Sequence, residues 1–277
     1  MFAKALRNSL LVAAIGVPQW TWAVAVDTEL QLLMDVSGSV NSFEYGLQLQ
    51  GYIDAFSSQS VQNTILDTSA GKFGSIAVQM VMWSGANQQT SVTEWTLLDS
   101  TEAINNFTYT LANVIRPYSN MTAPGSALLY GAGLFADNGF EGTRQVIDVS
   151  GDGIQNSGFS TAEARDAALA QGIDTINGIT IGQDYAAGEL QQWYVENVAG
   201  GTNAFVMNAD TFSDFGQALE LKLAAEIDGS YVPEAALPAP IEDIPWQGQL
   251  GLLGLLGLLG WFFWYRDKLE PAAIFKA

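Results

Sequence analysis

The chain has 277 residues, with 29 acidic and 10 basic side chains and a formal net charge of −19. Such a surface repels nucleic acids and attracts cations, so we predict no nucleic-acid partner. The sequence contains neither cysteine nor histidine. This excludes disulfides, thiolate chemistry, Ser–His–Asp catalysis and the commonest zinc ligands. Any bound metal must therefore be held by oxygen atoms, which favours Mg²⁺, with Mn²⁺ or Ca²⁺ as alternatives.

The N-terminus has the layout of a secretory signal peptide. Lys4 and Arg7 precede an apolar run over Leu10–Val17, and a small-x-small sequence ends at Ala25. The pattern predicts a signal peptide over residues 1–25, removed by cleavage after Ala25. A retained membrane anchor is the alternative, but the run is short for a span.

Between residues 26 and 229 the sequence alternates between short apolar runs and amphipathic stretches. The predicted strands cover residues 29–36, 74–85, 90–98, 143–150, 173–181 and 203–208. The predicted helices cover residues 42–57, 100–115, 125–138, 160–172, 186–199 and 209–227. We expect the strand over 90–98 to be the antiparallel neighbour of the preceding one, and Ser100 to cap the helix that follows. The alternation predicts an α/β domain with a Rossmann-like, doubly wound, mostly parallel central sheet and helices on both faces.

The C-terminal part differs in composition from this domain. Residues 230–245 hold four of the chain's eight prolines and predict an extended linker. Residues 246–265 contain no charged side chain, and as a helix they would extend about 30 Å, the thickness of the hydrocarbon core. Arg266 and Lys268 follow and favour a cytoplasmic tail over residues 266–277. We therefore predict one transmembrane helix, with the α/β domain on the extracytoplasmic side, in the periplasm or at the cell surface.

Polar side chains lie in three loops that we expect at the same edge of the sheet. Asp35, Ser37 and Ser39 leave the first strand, Thr122 precedes a helix, and Asp152 follows the strand over 143–150. In parallel sheets, ligands bind at the loops beyond the carboxyl ends of the strands. A divalent cation there would receive two carboxylates and several hydroxyl groups, which are hard oxygen ligands.

In the first of these loops, "DVSGSV" resembles the Asp-x-Ser-x-Ser signature of von Willebrand factor A-type domains, which form a metal-ion-dependent adhesion site. In that family a Thr from a second loop and an Asp from a third complete the site, and Thr122 and Asp152 match those positions. The surrounding sequence is similar to a bacterial subgroup whose function is not assigned, in the stretches "VMWSGANQQ", "RQVIDVSGDG", "GIDTINGITI" and "GGTNAFVMNADTFSDF".

The resemblance implies a function in adhesion or protein binding. It implies that Asp35, Ser37, Ser39, Thr122 and Asp152 are the metal ligands, that the metal is usually Mg²⁺, and that an acidic side chain of a protein partner completes its coordination. It implies no enzymatic activity. The C-terminal end is also similar to bacterial sorting tails that enzymes of the exosortase or rhombosortase type recognise.

Other interpretations of the same residues remain open. Ser and Asp are common in helix-capping loops, so "DVSGSV" alone is also consistent with a structural turn. Asp148 lies inside a predicted strand, and we expect it to hydrogen-bond to nearby backbone instead of joining the metal site. "LLMDVSGS" with "SGDGIQN" also resembles Mg²⁺-dependent haloacid-dehalogenase phosphatases, but Ser37 occupies the position of their general acid. A structural surface protein with a redundant metal site is the third possibility.

Overall fold

The structure, a computed structural model, describes residues 23–182 and 188–229. Its strands are β1 (Val24–Asp35), β2 (Ile76–Trp83), β3 (Gln89–Ser91), β4 (Thr96–Leu98), β5 (Phe140–Gly151), β6 (Thr175–Ile181), β7 (Gly200–Gly201) and β8 (Val206–Ala209). Its helices are α1 (Ser42–Ser57), α2 (Gln59–Ile65), α3 (Thr101–Leu111), α4 (Pro124–Ala132), α5 (Thr161–Ala170), α6 (Glu189–Asn197) and α7 (Phe215–Asp228).

The described strands form one mixed sheet in the order β3-β2-β1-β5-β6-β7, in which β4 also pairs with β2 and β8 with β6. Strands β1, β2, β5, β6 and β8 pair in parallel, whereas β3, β4 and β7 are antiparallel to their neighbours. The α/β architecture predicted from the sequence, with a mostly parallel central sheet, is confirmed.

Helices cover both faces of the sheet, and the central strand β1 is buried on both. Leu30, Leu32 and Met34 of β1 lie in a core with buried residues of α1, α2, α3 and α7. Leu33 lies in a second core, with residues of α4, α5 and α6. Successive side chains of a strand point to opposite faces, so Leu33 shares its face with Gln31, which is buried although it is polar.

Most predicted elements are found, but several bounds differ. Strand β1 begins before predicted residue 29, α4 ends before predicted residue 138, α7 begins after predicted residue 209, and β7 was not predicted. Three further differences concern the elements between them. Helix α1 occupies the predicted residues 42–57, and Ser100 caps α3 by accepting a hydrogen bond from the backbone of Ala103. The strand predicted over 90–98 is instead two short strands, β3 and β4. Helix α2 was not predicted, because its seven residues are mostly polar and bury little apart from Val61 and Ile65. Strand β5 begins earlier than predicted, at Phe140, where it pairs with the start of β1.

Several predicted segments lie outside the described residues. They are the linker (230–245), the transmembrane helix (246–265), the tail (266–277) and residues 1–22 of the signal peptide. Strand β1 begins at Val24, just ahead of the predicted cleavage point, and cleavage after Ala25 stays a prediction. Within residues 23–182 and 188–229, no helix has both the length and the apolar character needed to cross a membrane.

A buried cluster of charged side chains fixes α7 to the sheet. Lys222 Nζ lies 2.5 Å from Asp148 Oδ1 and also contacts Glu226 Oε1, and all three side chains are inaccessible to solvent or nearly so. Asn177 Nδ2 donates a second hydrogen bond of 2.8 Å to Glu226 Oε1. The expectation that Asp148 bonds to nearby backbone is therefore wrong, because its partner is an ammonium group on a helix 74 residues away.

These charges also shift the acid–base behaviour of the cluster. Burial and the negative charge of Asp148 raise the pKa of Glu226, Lys222 and Asn177 lower it, and the combined effect is a pKa of about 7. Burial likewise raises the pKa of Asp148. The cluster has two carboxyl groups for one ammonium group, so ionisation of both leaves an uncompensated negative charge in the interior.

The topology places the predicted site at a reversal of strand order. From β1 the chain moves to β2 on one side and later to β5 on the other, so β1 lies between them. In open α/β sheets, ligands bind beyond the carboxyl ends of strands at such a point. Asp35 ends β1 and Gly151 ends β5, so the loops after both strands emerge side by side.

Candidate metal-binding site

Asp35 lies at the buried end of β1 and is inaccessible to solvent. Its Oδ1 accepts a hydrogen bond of 2.7 Å from the backbone N–H of Ser37. Gln48 of α1 donates a hydrogen bond of 3.1 Å from Nε2 to the Asp35 carbonyl oxygen. The strand end, the following turn and the first helix therefore fix the position of this carboxylate.

The two serines connect this carboxylate to the third loop. Ser37 Oγ and Ser39 Oγ lie 3.1 Å apart, and Ser39 Oγ donates a hydrogen bond of 2.7 Å to Asp152 Oδ1. Ser37 is fully buried, Asp152 is 8% exposed, and Ser39 is at the surface. The structure thus brings four of the five predicted residues, Asp35, Ser37, Ser39 and Asp152, into one hydrogen-bonded chain.

Thr122, the fifth predicted residue, is fixed to the Asp152 loop through backbone contacts. Its N–H donates a hydrogen bond of 2.8 Å to Asn156 Oδ1, and the Asn156 N–H donates one of 3.0 Å to the Thr122 carbonyl oxygen. Thr122 is 5% exposed. The carbonyl of Asn120, two residues earlier, accepts a hydrogen bond from Gly38 N–H of the first loop. The second loop is therefore bound to both of the others.

The electrostatic environment disfavours ionisation of Asp35. Burial and, to a lesser extent, the negative charge of Asp152 raise its pKa, Ser37 and Arg116 lower it, and the combined effect is a pKa of about 8. Within the described residues, Asp35 Oδ2 has no hydrogen-bond partner. A buried carboxylate oxygen without a partner, beside a second carboxylate, is costly unless a cation balances the charge.

The donor set fits a hard divalent cation. Asp35 and Asp152 offer carboxylate oxygens, and Ser37, Ser39 and Thr122 offer hydroxyl oxygens from loops that contact one another. Oxygen ligands of this kind suit Mg²⁺, Mn²⁺ and Ca²⁺. Within the described residues, no group of three or more Asp, Glu, His or Cys side chains is placed to hold a metal ion. The assignment of the five residues as ligands stays a prediction.

Gly151 is required by the close packing behind Asp35. A Cβ atom at this position would lie 2.4 Å from Tyr194 Oη and 2.9 Å from Asp35 Oδ2. Both distances are below 3.0 Å, and Cβ atoms in proteins almost never lie so close to another heavy atom. The glycine therefore lets the end of β5 approach the carboxylate, and any side chain here would displace Asp35 or Tyr194.

Arg116 supports the first loop and was not predicted. Its Nη2 donates hydrogen bonds of 3.0, 2.8 and 2.8 Å to the carbonyl oxygens of Val36, Ser37 and Val40. Its guanidinium carbon lies 5.5 Å from the centre of the Tyr45 ring. The sequence gives one weak indication of this role. Residues 26–245 contain only five basic side chains, and one of them, Arg116, lies six residues before Thr122. Its target carbonyl groups cannot be read from sequence spacing.

Comparisons with known proteins identify the fold. The sequence profile of a family described as "Protein of unknown function (DUF1194)" matches residues 25–231. No curated protein sequence matches the chain significantly. Proximal thread matrix protein 1 from the mussel byssus has a similar structure, with 18% identity, a TM-score of 0.52, and coverage of 73% of this chain and 48% of that one. Pilus adhesin SpaC from Lactobacillus rhamnosus GG is 15% identical, with a TM-score of 0.52 and coverage of 75% and 31%.

These likenesses establish a fold of the von Willebrand A type. The chain spans about half of the mussel protein's length and about a third of the adhesin's. In a second structure of the mussel protein, 17% identical with a TM-score of 0.52, zinc occupies the metal-ion-dependent adhesion site.

Proposed function

The chain belongs to the DUF1194 family, and we propose that it binds a protein partner through a divalent cation held by Asp35, Ser37, Ser39, Thr122 and Asp152. The observation that carries this proposal is the state of Asp35. Its carboxyl group is fully buried, its Oδ2 has no hydrogen-bond partner within the described residues, and a second carboxylate lies nearby. A cation between the two carboxylates would balance both charges and take up the unpartnered oxygen.

The same ligand set explains how a partner would be recognised. Three of the five proposed ligands are neutral hydroxyl groups, which donate little charge to the cation, so it still attracts a further anionic oxygen. Five protein groups leave Mg²⁺, which takes about six oxygen ligands, one position for a group from outside. A carboxylate of a partner protein suits that position. Bound there, the cation supplies a bridge between the two proteins and fixes their relative orientation.

We propose Mg²⁺ as the physiological ion, with Mn²⁺ or Ca²⁺ as alternatives. Carboxylate and hydroxyl oxygens are the ligands these ions prefer. The zinc-occupied adhesion site in the mussel protein supports divalent binding by this fold, although this chain offers no histidine or thiolate to favour zinc.

The predicted flanking segments suggest where binding takes place. We propose that residues 1–25 direct export and that a helix over 246–265 anchors the chain, with the α/β domain on the extracytoplasmic side. The resulting protein would present its metal site to proteins of the periplasm or cell surface. The pilus adhesin SpaC supports a role of this fold in surface adhesion.

The test is capture of a partner from extracts of the native host by the purified full chain, with Mg²⁺ or with chelator. The proposal predicts a partner retained with Mg²⁺, released by chelator and absent when Asp35→Asn is the bait. The matched control Asp99→Asn changes an exposed carboxylate far from the site and should capture the same partner. Retention that is equal in chelator would contradict the proposal.

The two alternative functions give different results in the same preparation. A phosphatase would hydrolyse p-nitrophenyl phosphate with Mg²⁺ and lose that turnover in Asp35→Asn. A structural protein with a redundant metal site would bind Mg²⁺ but retain no partner in either buffer. The proposed function predicts metal-dependent capture without turnover.

A further inference from the structure

A groove adjoins the proposed metal site and shares Asp152 with it. The groove has a volume of about 360 Å³ and lies between the first turns of α1, the end of β6 and the segment between β8 and α7. Its apolar wall includes Phe43, Leu47 and Phe212. Phe43 is 73% exposed, an unusual position for a large apolar ring. A groove with an exposed aromatic rim beside a binding site is typical of a surface that a partner covers.

Acidic side chains accompany these apolar ones. Glu44 and Asp210 both line the groove, together with Asp152, and the described residues contribute no basic side chain to its lining. Glu44 and Asp210 each use one carboxylate oxygen in the fold itself. Glu44 Oε2 accepts a hydrogen bond of 2.7 Å from Asn41 N–H, and Asp210 Oδ1 accepts one of 2.9 Å from Asn208 Nδ2. Among the described residues, no hydrogen bond is formed by the second carboxylate oxygen of either side chain.

The geometry points to a specificity groove for a basic side chain, preferably arginine, that the partner carries close to the carboxylate bound by the metal. This inference rests on the proposed function, because it extends the same interface beyond the cation. An arginine has an apolar stem that suits the wall of Phe43, Leu47 and Phe212, and a guanidinium group that pairs with carboxylates. Planar guanidinium groups also stack on aromatic rings, which favours arginine over lysine beside an exposed phenylalanine.

Charge complementarity selects this occupant over others. Residues 26–245 hold 27 acidic and 5 basic side chains, so the surface as a whole repels an acidic partner. A partner must nevertheless bring one carboxylate to the metal. A neighbouring basic side chain would offset that repulsion and distinguish the correct carboxylate from the many acidic groups of other proteins.

The test uses the full chain with Mg²⁺ and short fluorescent peptides that contain one aspartate in a Gly-Ser background. A second residue, either arginine, norleucine or glutamate, is placed at each neighbouring position in turn, and binding is followed by fluorescence anisotropy. The inference predicts that the best arginine peptide binds about tenfold tighter than its norleucine counterpart, equivalent to about 1.4 kcal/mol. Its glutamate counterpart should bind most weakly.

The double variant Glu44→Gln, Asp210→Asn should remove the preference for arginine while it still binds the norleucine peptide. Both substitutions retain the oxygen atoms that accept structural hydrogen bonds, and glutamine is compatible with the capping box at Asn41. The matched control is Glu102→Gln, an exposed glutamate in the first turn of α3 at the opposite edge of the sheet, which should keep the preference.

The outcomes separate this inference from the function on which it rests. Three outcomes would each overturn the groove assignment. Peptides could bind with Mg²⁺ but without a preference for arginine, the preference could survive the double variant, or no arginine peptide could bind. Stabilisation of the chain by Mg²⁺, measured by thermal unfolding in the same samples, reports on the metal site separately. Peptide binding that is equal in chelator and in Asp35→Asn would instead contradict the proposed function.

Discussion

Ser39 Oγ donates a hydrogen bond of 2.7 Å to Asp152 Oδ1, which joins loops that are 113 residues apart in the chain. This contact closes the candidate site, because it fixes the surface serine of the first loop to the carboxylate of the third. The hydroxyl group has a lone pair left for a cation while its proton is held by Asp152. Ser39 is therefore oriented before any metal arrives.

Substitution of Ser39 by alanine tests this orientation. The variant loses one hydroxyl ligand and the group that positions Asp152, so we expect Mg²⁺ affinity to fall about tenfold. Because Ser39 is at the surface, unfolding in chelator should change by less than about 1 kcal/mol. Calorimetric titration with Mg²⁺ measures the first effect. Ser57→Ala, which removes another exposed serine that donates a hydrogen bond, is the control and should bind like the wild type.

Arg116→Lys tests the support of the first loop. A lysine cannot reproduce the guanidinium contacts with three carbonyl groups, so the loop should loosen and Mg²⁺ affinity should fall about tenfold. Arg144→Lys is the matched control, because Arg144 binds the Glu226 carbonyl oxygen at the other edge of the sheet. Equal Mg²⁺ affinities in the two variants would show that Arg116 has no part in shaping the site.

Substitution of two glycines by alanine compares a position that is closely packed with one that has open space around it. Gly151→Ala forces a methyl group against Tyr194 and Asp35, and we expect a loss of about 1 to 3 kcal/mol together with weaker Mg²⁺ binding. Gly46→Ala, in the middle of α1, meets nothing within 4 Å and should stabilise the chain by about 0.5 to 1 kcal/mol. Denaturant unfolding of both variants checks the opposite signs. A stable, Mg²⁺-binding Gly151→Ala chain would exclude the packing explanation.

The buried cluster around Lys222 predicts a pH dependence of stability. The pKa of Glu226 is raised from 4.5 to about 7 in the folded chain, so the unfolded chain ionises this group at lower pH. The stabilising contribution of Glu226 is complete below about pH 4.5 and is lost as the pH rises through about 7, by roughly 3 kcal/mol. Glu226→Gln should reduce this decline, because glutamine can accept the same hydrogen bonds without titrating.

Unfolding of wild type and Glu226→Gln, measured in chelator across this range, provides the comparison. The difference between the two curves isolates Glu226 from other carboxyl groups. Parallel curves would contradict the assignment of this pH dependence to the cluster.

The sequence predicted the proximity of the candidate-site residues where its signals are local. Asp35, Ser37 and Ser39 lie at or just after the end of one predicted strand, and Asp152 follows another. Because parallel strands end at the same edge of a sheet, these residues were expected to lie together. The central sheet was predictable for the same reason, since its main strands are largely apolar segments bounded by glycine and polar residues.

Other features depend on contacts that no local pattern encodes. The partner of Asp148 is Lys222, 74 residues later on a helix whose charged positions look solvent-exposed in sequence. The role of Arg116 depends on the path of the segment that brings it under the first loop. The groove that includes Asp152 combines residues from four parts of the chain. Each of these required the folded arrangement.

Calorimetric titration of the full chain with MgCl₂, beside Asp35→Asn and the control Asp99→Asn, tests whether Asp35 holds a divalent cation. We expect one saturable site in the wild type and in Asp99→Asn, and none in Asp35→Asn. In chelator, Asp35→Asn should unfold at the same temperature as the wild type or higher, because the substitution removes a buried carboxyl group and its repulsion by Asp152. Saturable binding that is equal in Asp35→Asn, or its absence from the wild type with Mg²⁺, Mn²⁺ and Ca²⁺ alike, would rule out the proposed metal site.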